Sequence, residues 1–501
     1  MTLRLKPVTG WLVSIAALSV LALLALIPEA PGQKAPTAPT SKVERKYKAP
    51  VSTEVLRVKL SKPVEAKLKN GLTVLILEDH RFPAVFLRFQ IRGAGALFEP
   101  GTLSGLADAT AQMLREGTQA RTSKQIAEDL DKLGATLTAS SQFGSRAATI
   151  AASGLSVNFE NWFGLVADVI LHPAFPAAEL EKLKQRTKIQ LRQQRASARF
   201  LANERFSRAV FGSHPAAVIS ASPASVDALT PRALEKWHHE RYLPRNAILA
   251  VAGDVRAAEL IPKLDLWLSD WRNRDNKEVV PPNPVPAPSR KIYLVDRPNS
   301  VQTTVVLGNI AIDRRSQDYV PMVVMNRLLG DGPAARLFLN LREEKGYTYG
   351  IYSNFAAVGY PGPWRVSGNV RSEVTGSALA EIFNEIHRIR ETDVGEAELE
   401  ENKRSVVASF ALSLEQPAQV LDFTITRKIY NLPDNYWDTY PARVMAVTPQ
   451  DVRQVARRYL NPESMQLVAV GDARKIKPML EKYGPVQVYD SEGNSARVRE
   501  E

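Results

Sequence analysis

Metal binding or proton transfer at neutral pH would fall first to histidine, and this 501-residue chain has six: His80, His172, His214, His238, His239 and His387. Their spacing supplies no ligand set. His238 and His239 are neighbours on a predicted helix and point about 100° apart, whereas a helical ligand pair needs i and i+4. They read as surface or packing residues. His80 can share a strand face with Glu78, but a second donor is not evident. The chain has no cysteine, which excludes thiolate zinc sites, cysteine nucleophiles and disulfides. No Ser-His-Asp arrangement can be named either, so an independent metal-free hydrolase has little support.

The elements that would position any site come from a large, core-forming chain. Hydrophobic residues make up 45% and charged ones 24%, the balance of a globular protein, and at about 150 residues per domain the length suggests two to four domains. Arg4 and Lys6 precede an apolar run from Trp11 to Ile27, the pattern of an export signal or a membrane anchor. Cleaved signal and uncleaved anchor both stay open. Residues 31–50, rich in Pro, Ala, Thr and Lys, read as a tether. The net charge of +12 favours acidic partners or an anionic membrane surface. The densest basic stretch, Lys182 to Arg208, reads as a solvated helix face, and no nucleic-acid motif accompanies it.

An internal duplication organises the chain. LTPRALEKWHHERYLPRNAILAVAGDV, from Leu229, is echoed by VTPQDVRQVARRYLNPESMQLVAVGD, from Val447. The offset from Thr230 to Thr448 equals that from Gly253 to Gly471, and AELE at Ala178–Glu181 recurs at Ala397–Glu400 with an offset greater by one. Each echo predicts a helix capped by Thr with Pro in its first turn, then a turn and an apolar strand. Between the halves, KEVVPPNPVPAPSR (Lys277–Arg290) is too proline-rich for helix or central strand and forms a linker.

In the first half, Leu56–Leu60, Leu72–Leu77 and Val85–Arg92 read as strands. Helices follow over Leu106–Arg115 and from a Thr122-x-x-Gln125 capping box to Gly134. Ala135–Ser140 and Ala147–Ala152 form a strand pair, and helices run through Val157–Leu171 and Ala177–Phe211. The second half repeats this order with strands at Lys291–Val295 and Thr303–Asn309, a helix at Tyr319–Leu329, and strands around Tyr349–Ala356 and Trp364–Val370. Strand groups mixed with long helices predict an α+β fold.

Two segments carry a specific resemblance. NGLTVLILEDHRFPAVFLRFQIRGAGALFEPGTLSGLADATAQMLREGT (Asn70–Thr118) resembles the opening of a pitrilysin/insulinase family domain. GDGPAARLFLNLREEKGYTYGIYS (Gly330–Ser353) resembles the diagnostic part of that family's second domain. The resemblance implies two homologous lobes, each a mainly antiparallel sheet packed with helices and joined by the Pro-rich linker, facing a partner or a second pair of lobes across a peptide-holding chamber. Catalytic members bind zinc through H-x-x-E-H, two imidazoles on one helix face with a glutamate that activates water, and a further glutamate downstream completes the site. In the gapless alignment the histidine positions are Asp108 and Gln112 and the glutamate position is Ala111. All three functions are lost. Near the downstream ligand position stand Arg192 or Gln193, and a cation there would repel zinc.

The second-lobe motif is retained. Arg342 and Tyr349 keep the family's spacing of seven (349 − 342), and in catalytic assemblies such a pair faces the zinc and helps hold the substrate backbone and oxyanion. Arg342 paired with Glu343 or Glu344, and Tyr349 packed in a strand, would be the structural alternative. Tyr347 would share a strand face with Tyr349, so either could be the donor, with Tyr349 preferred by spacing. Gly330, Gly332 and Gly346 are expected to permit tight turns around this substrate-binding segment. The strand after Tyr349 and Ala135–Ser140 are candidate edges for adding an extended peptide.

The expected organisation is a signal or anchor (1–30), a tether (31–50), an N-terminal peptidase-like domain (51–276), the linker (277–290), a C-terminal domain with the Arg/Tyr motif (291–482) and a polar tail (483–501). The implied role is a non-catalytic subunit of an exported, periplasmic metallopeptidase, which residues 11–27 could hold at the inner membrane. It would bind no zinc itself, and Zn would sit on a partner subunit bearing H-x-x-E-H. The alternative is a structural scaffold or peptide-binding protein with no role in turnover.

Overall fold

Strand-forming runs of the first half pair with one another, and so do those of the second, in a computed structural model that describes residues 57–275 and 280–496. The apolar run 11–27, the tether, linker residues 277–279 and tail residues 497–501 lie outside the described residues. Among the described residues, no helix is long and apolar enough to cross a membrane.

The first sheet contains β1 (Val64–Lys67), β2 (Thr73–Glu78), β3 (Ala84–Arg92), β4 (Thr136–Ser140), β5 (Ala147–Leu155) and β6 (Ala247–Gly253), in the order β1-β2-β6-β3-β5-β4. The second contains β7 (Ile292–Asp296), β8 (Gln302–Ile312), β9 (Thr348–Ala357), β10 (Pro361–Arg371), β11 (Gln466–Gly471) and β12 (Val486–Tyr489), in the order β12-β7-β11-β8-β10-β9. Five strands correspond one to one: β2 with β7, β6 with β11, β3 with β8, β5 with β10, and β4 with β9. The duplication is therefore structural. The sixth strand differs, since β1 precedes its partner and runs antiparallel to β2, whereas β12 comes from the C-terminal segment and runs parallel to β7. Most pairings are antiparallel, and the fold is α+β with two homologous lobes.

Both echoed helices start as their sequences dictate: the Thr230 and Thr448 hydroxyls accept from the third backbone N–H of Pro231–Arg241 and Pro449–Tyr459. The Thr122/Gln125 capping box also forms. The predicted helix Ala177–Phe211 is two helices, because Ser197 caps a second one through the Phe200 N–H. We call them α2 (Ala177–Arg195) and α3 (Ala198–Phe211), after α1 (Leu106–Met113), and their repeats α4 (Glu396–Ser413) and α5 (Pro417–Ile429). Both repeats start at the same offset from their counterparts as the AELE echo, Ala177 to Glu396 and Ala198 to Pro417.

The lobes are locked by an exchange of these helices. Ala202 and Phe206 of α3 are buried against Val306, Val468 and Val470 of the second sheet. At the same two positions of α5, Leu421 and Ile425 are buried against Leu75, Ile248 and Ala250 of the first sheet. Fully burying side chains of this size contributes about 1.5–3 kcal/mol each, so separating the lobes would expose several such groups at once.

Two further boundaries differ from expectation. The segment around Leu60 is not a strand: Val58 and Leu60 pack on the core of the second lobe, and the Leu60 N–H donates to Asp438 at 3.0 Å. Its alternating residues meet the second lobe instead of another strand. Within the expected polar tail, β12 completes the second sheet, with Val486 and Val488 against its core.

Candidate functional site

At the metal-motif positions, the short helix α1 begins after Gly105, whose φ of 97° is left-handed. Glu99 reaches back over this turn and accepts the backbone N–H groups of Gly105 (2.9 Å) and Ala107 (2.5 Å). Burial nevertheless pushes its carboxyl up to about 7, with Asp108 adding repulsion. Asp108 and Gln112 do share one helix face, as i and i+4 spacing requires, but they bond to each other at 2.6 Å. The second Asp108 oxygen accepts the Ser141 N–H at 2.9 Å. Ala111 is 0% exposed and offers no donor atom.

A cavity of about 620 Å³ opens over this face, lined among others by Asp108, Gln112, Ser141, Lys184, Gln190 and Gln194. Arg192 and Gln193, expected near the last ligand position, do not line it; Thr187, Gln190 and Gln194 of α2 do, one helical turn apart. The register error reflects the missing acid, without which nothing marks the inward face. Lys184 and Arg186 line the same cavity. One carboxylate already satisfied by two donors, amides and two cations do not fit a divalent metal. Among the described residues, no three His, Asp or Glu side chains converge on a common point.

Two of the histidines singled out in the sequence have structural partners. His80 pairs with Asp254 at 2.7 Å, while Glu78 accepts the Ala257 N–H. His238 bonds the Ile170 carbonyl, and burial pushes its pKa down to about 4.

The second-lobe motif has a different character. Arg342 lies on a π-helical turn, Leu339–Glu344, a wide turn that recurs at functional sites. Its guanidinium stands over the Phe338 ring, 4.7 Å from the centroid, and 3.4 Å from Glu343. Phe338 in turn packs on Tyr352 of β9. Gly346, with φ of 63°, turns the chain into β9. Gly330 is not a turn glycine: a Cβ there would lie 2.5 Å from the Ser353 hydroxyl, so glycine permits the close approach at which the Ser353 N–H meets the Gly330 carbonyl. Gly332 does adopt a left-handed φ, 124°.

Tyr347 and Tyr349 do not share a face. Tyr347 precedes the strand and its ring packs on the second core. Tyr349 sits at a β-bulge, since Thr348 pairs with Val370 and Gly350 with Asn369, leaving Tyr349 as the unpaired extra residue. Without the bulge, Tyr349 would follow the parity of Ile351, which is 0% exposed; with it, Tyr349 is 87% exposed. Both expected edges are real: β4 and β9 are the terminal strands of their sheets. Each leaves a row of backbone groups unpaired within the sheet.

A family model for insulinase (peptidase family M16) matches residues 73–223, and one for the peptidase M16 inactive domain matches residues 228–406. The chain is 22% identical over 349 residues to an uncharacterized zinc protease of Bacillus subtilis (strain 168), covering 69% of this chain and 83% of that protein. It is 25% identical over 375 residues to one of Mycobacterium tuberculosis (strain ATCC 25618 / H37Rv), covering 74% and 84%. A crystal structure of a peptidase M16 inactive domain from Pseudomonas fluorescens superposes with a TM-score of 0.77 at 25% identity, over 82% of this chain and 98% of that one. A protease from Helicobacter pylori shares the fold, with a TM-score of 0.75 at 19% identity over 82% and 100% of the two chains. Two M16 models in tandem, the two-lobed fold and a motif helix stripped of its metal donors make this chain a member of the insulinase (M16) peptidase family, of the inactive type.

Proposed function

We propose that the chain is the non-catalytic subunit of an exported heteromeric zinc peptidase, holding extended peptide and supplying Arg342 and Tyr349 to a zinc site on a partner chain that bears H-x-x-E-H. The observation that carries this reading is the contrast between the two motifs. Asp108 and Gln112 are closed on each other, whereas Tyr349 is 87% exposed at a β-bulge. Arg342 supplies a guanidinium suited to an oxyanion or a peptide carbonyl, and Tyr349 a neutral O–H donor. The edge strand β9, which contains Tyr349 and follows the Arg342 turn, supplies the backbone groups for strand addition. In this role Zn belongs to the partner, and the N-terminal apolar run supports a periplasmic location, at or near the inner membrane.

The test is substitution in the reconstituted pair. Arg342→Ala and Tyr349→Phe should each lower kcat of the complex by at least tenfold while leaving assembly intact. Full activity in both variants would exclude the proposed role and leave a scaffold that takes no part in turnover.

A further inference from the structure

Between the lobes lies a second cavity, of about 650 Å³, whose lining includes Arg92, Arg146, Arg315 and Arg365 but, among the described residues, a single carboxylate, Asp422. That carboxylate is already engaged by a fifth arginine, Arg88 of β3. Arg315 has a carboxylate partner outside the lining, Asp313, and the charge that stands apart is that of Arg365.

The duplication shows what is missing. Asp422 on α5 and Asn203 on α3 occupy the same position of the exchanged helices, each the sixth residue of its helix. Each receives an arginine from the opposite lobe's sheet: Arg88 reaches Asp422, and Arg365 of β10 reaches Asn203 at 2.9 Å. One pair is ionic; in the other an amide replaces the carboxylate. The second partner of Arg365 is also an amide, Asn354 at 3.1 Å, and no described carboxylate pairs with it. Burial, followed by repulsion from Arg199, lowers its pKa. The side-chain hydrogen bond of Arg92 goes to a carbonyl, that of Asn246 at 3.4 Å. Buried charge is normally paired, and an uncompensated guanidinium in a cavity is costly until an anion arrives.

We infer that this chamber takes a carboxylate of an acidic peptide, with Arg365 as the principal counter-charge. The cavity reaches Asn354, Phe355 and Ala356 of the edge strand β9, and aromatic rings of Phe143, Phe211 and Tyr430 line it beside the arginines. Such mixed walls suit a side chain carried on a peptide better than a fully hydrated inorganic ion. The inference rests on the reading that β9 accepts an extended peptide, and it adds a substrate class to it.

The experiment is calorimetric titration of the full chain with N-acetylated, C-amidated octapeptides of Val, Thr and Ser. The uncharged parent is compared with a series carrying one Glu at successive positions, and inorganic phosphate is titrated separately. At least one Glu position should bind tenfold or more tighter than the parent at low salt. Asn203→Asp, which installs the missing carboxylate and mimics the Arg88–Asp422 pair, should erase that advantage. Arg365→Gln should do the same, and the parent's affinity, measured in each variant, reports that the fold and the strand edge survive. Parent binding with no Glu preference, or a preference that survives both substitutions, overturns the inference while leaving the peptide-binding role in place. Binding of phosphate that Asn203→Asp removes, with no Glu preference, assigns the chamber to a small anion and also overturns it. No binding by any peptide overturns both readings.

Discussion

The Glu99 carboxyl holds the turn that starts α1, and its replacement by glutamine tests how that turn is held. Its folded-state pKa is raised from 4.5 to about 7, chiefly by burial. A raised carboxyl pKa means that the folded chain keeps its proton where the unfolded chain has lost it. Stability therefore falls as pH rises from about 4.5 to about 7, and the full penalty is present above that window. A displacement of that size corresponds to about 3 kcal/mol, an order-of-magnitude value. His238 acts with the opposite sign across an overlapping range. Its pKa is lowered from 6.5 to about 4, so its contribution is lost as pH falls below 6.5. Only the difference between wild type and Glu99→Gln isolates Glu99. Equilibrium urea unfolding, followed by circular dichroism between pH 4.5 and 8, supplies it. Glutamine retains one acceptor for the Gly105 or Ala107 N–H and loses the other, a constant offset of about 1 kcal/mol. On top of that offset, the variant should gain about 3 kcal/mol relative to wild type across the window. Parallel curves would refute the assignment of a buried, late-ionising carboxyl at the head of α1.

Three further outcomes follow from the geometry. Tyr349→Ala should change unfolding free energy by less than about 0.5 kcal/mol, because the ring is exposed and touches little, and chemical denaturation checks this. Leu421→Ala on α5 should cost about 2–4 kcal/mol, since the side chain is buried against the first sheet across the lobe interface; a smaller loss would mean that the exchanged helices do not bind the lobes together. Gly346→Ala, at a left-handed φ of 63°, should cost about 1 kcal/mol and lower peptide affinity by shifting the entry into β9, measured by denaturation and calorimetry.

Much of this architecture is legible because it is written twice. The TP helix starts, the apolar strands ending in Gly and the AELE repeat recur at nearly one offset, so each half vouches for the other, and β4 and β9 are both candidate edges. What sequence spacing does not show depends on tertiary partners. The exchange of α3 and α5 leaves no local signal, since Ala202 and Phe206 look like any amphipathic stripe until the opposite sheet is present. The bulge at Tyr349 breaks the two-residue strand period on which the pairing of Tyr347 with Tyr349 relies. The inward face of α2 is displaced from its expected residues because the acid that would have marked it is gone. Arg365 carries no motif at all; its position opposite Asn203 becomes visible only when the two halves are laid over each other in space.

The central claim, that this subunit contributes peptide-binding residues to a metal site it does not itself possess, is tested most directly by one reconstitution. The purified chain is assayed for bound zinc by mass spectrometry and for peptidase activity, alone and after addition of an exported partner bearing H-x-x-E-H from the same source. Substoichiometric zinc and no hydrolysis are expected of the chain alone, with zinc and turnover appearing together in the complex. Stoichiometric zinc or peptide hydrolysis by the isolated chain would contradict the claim.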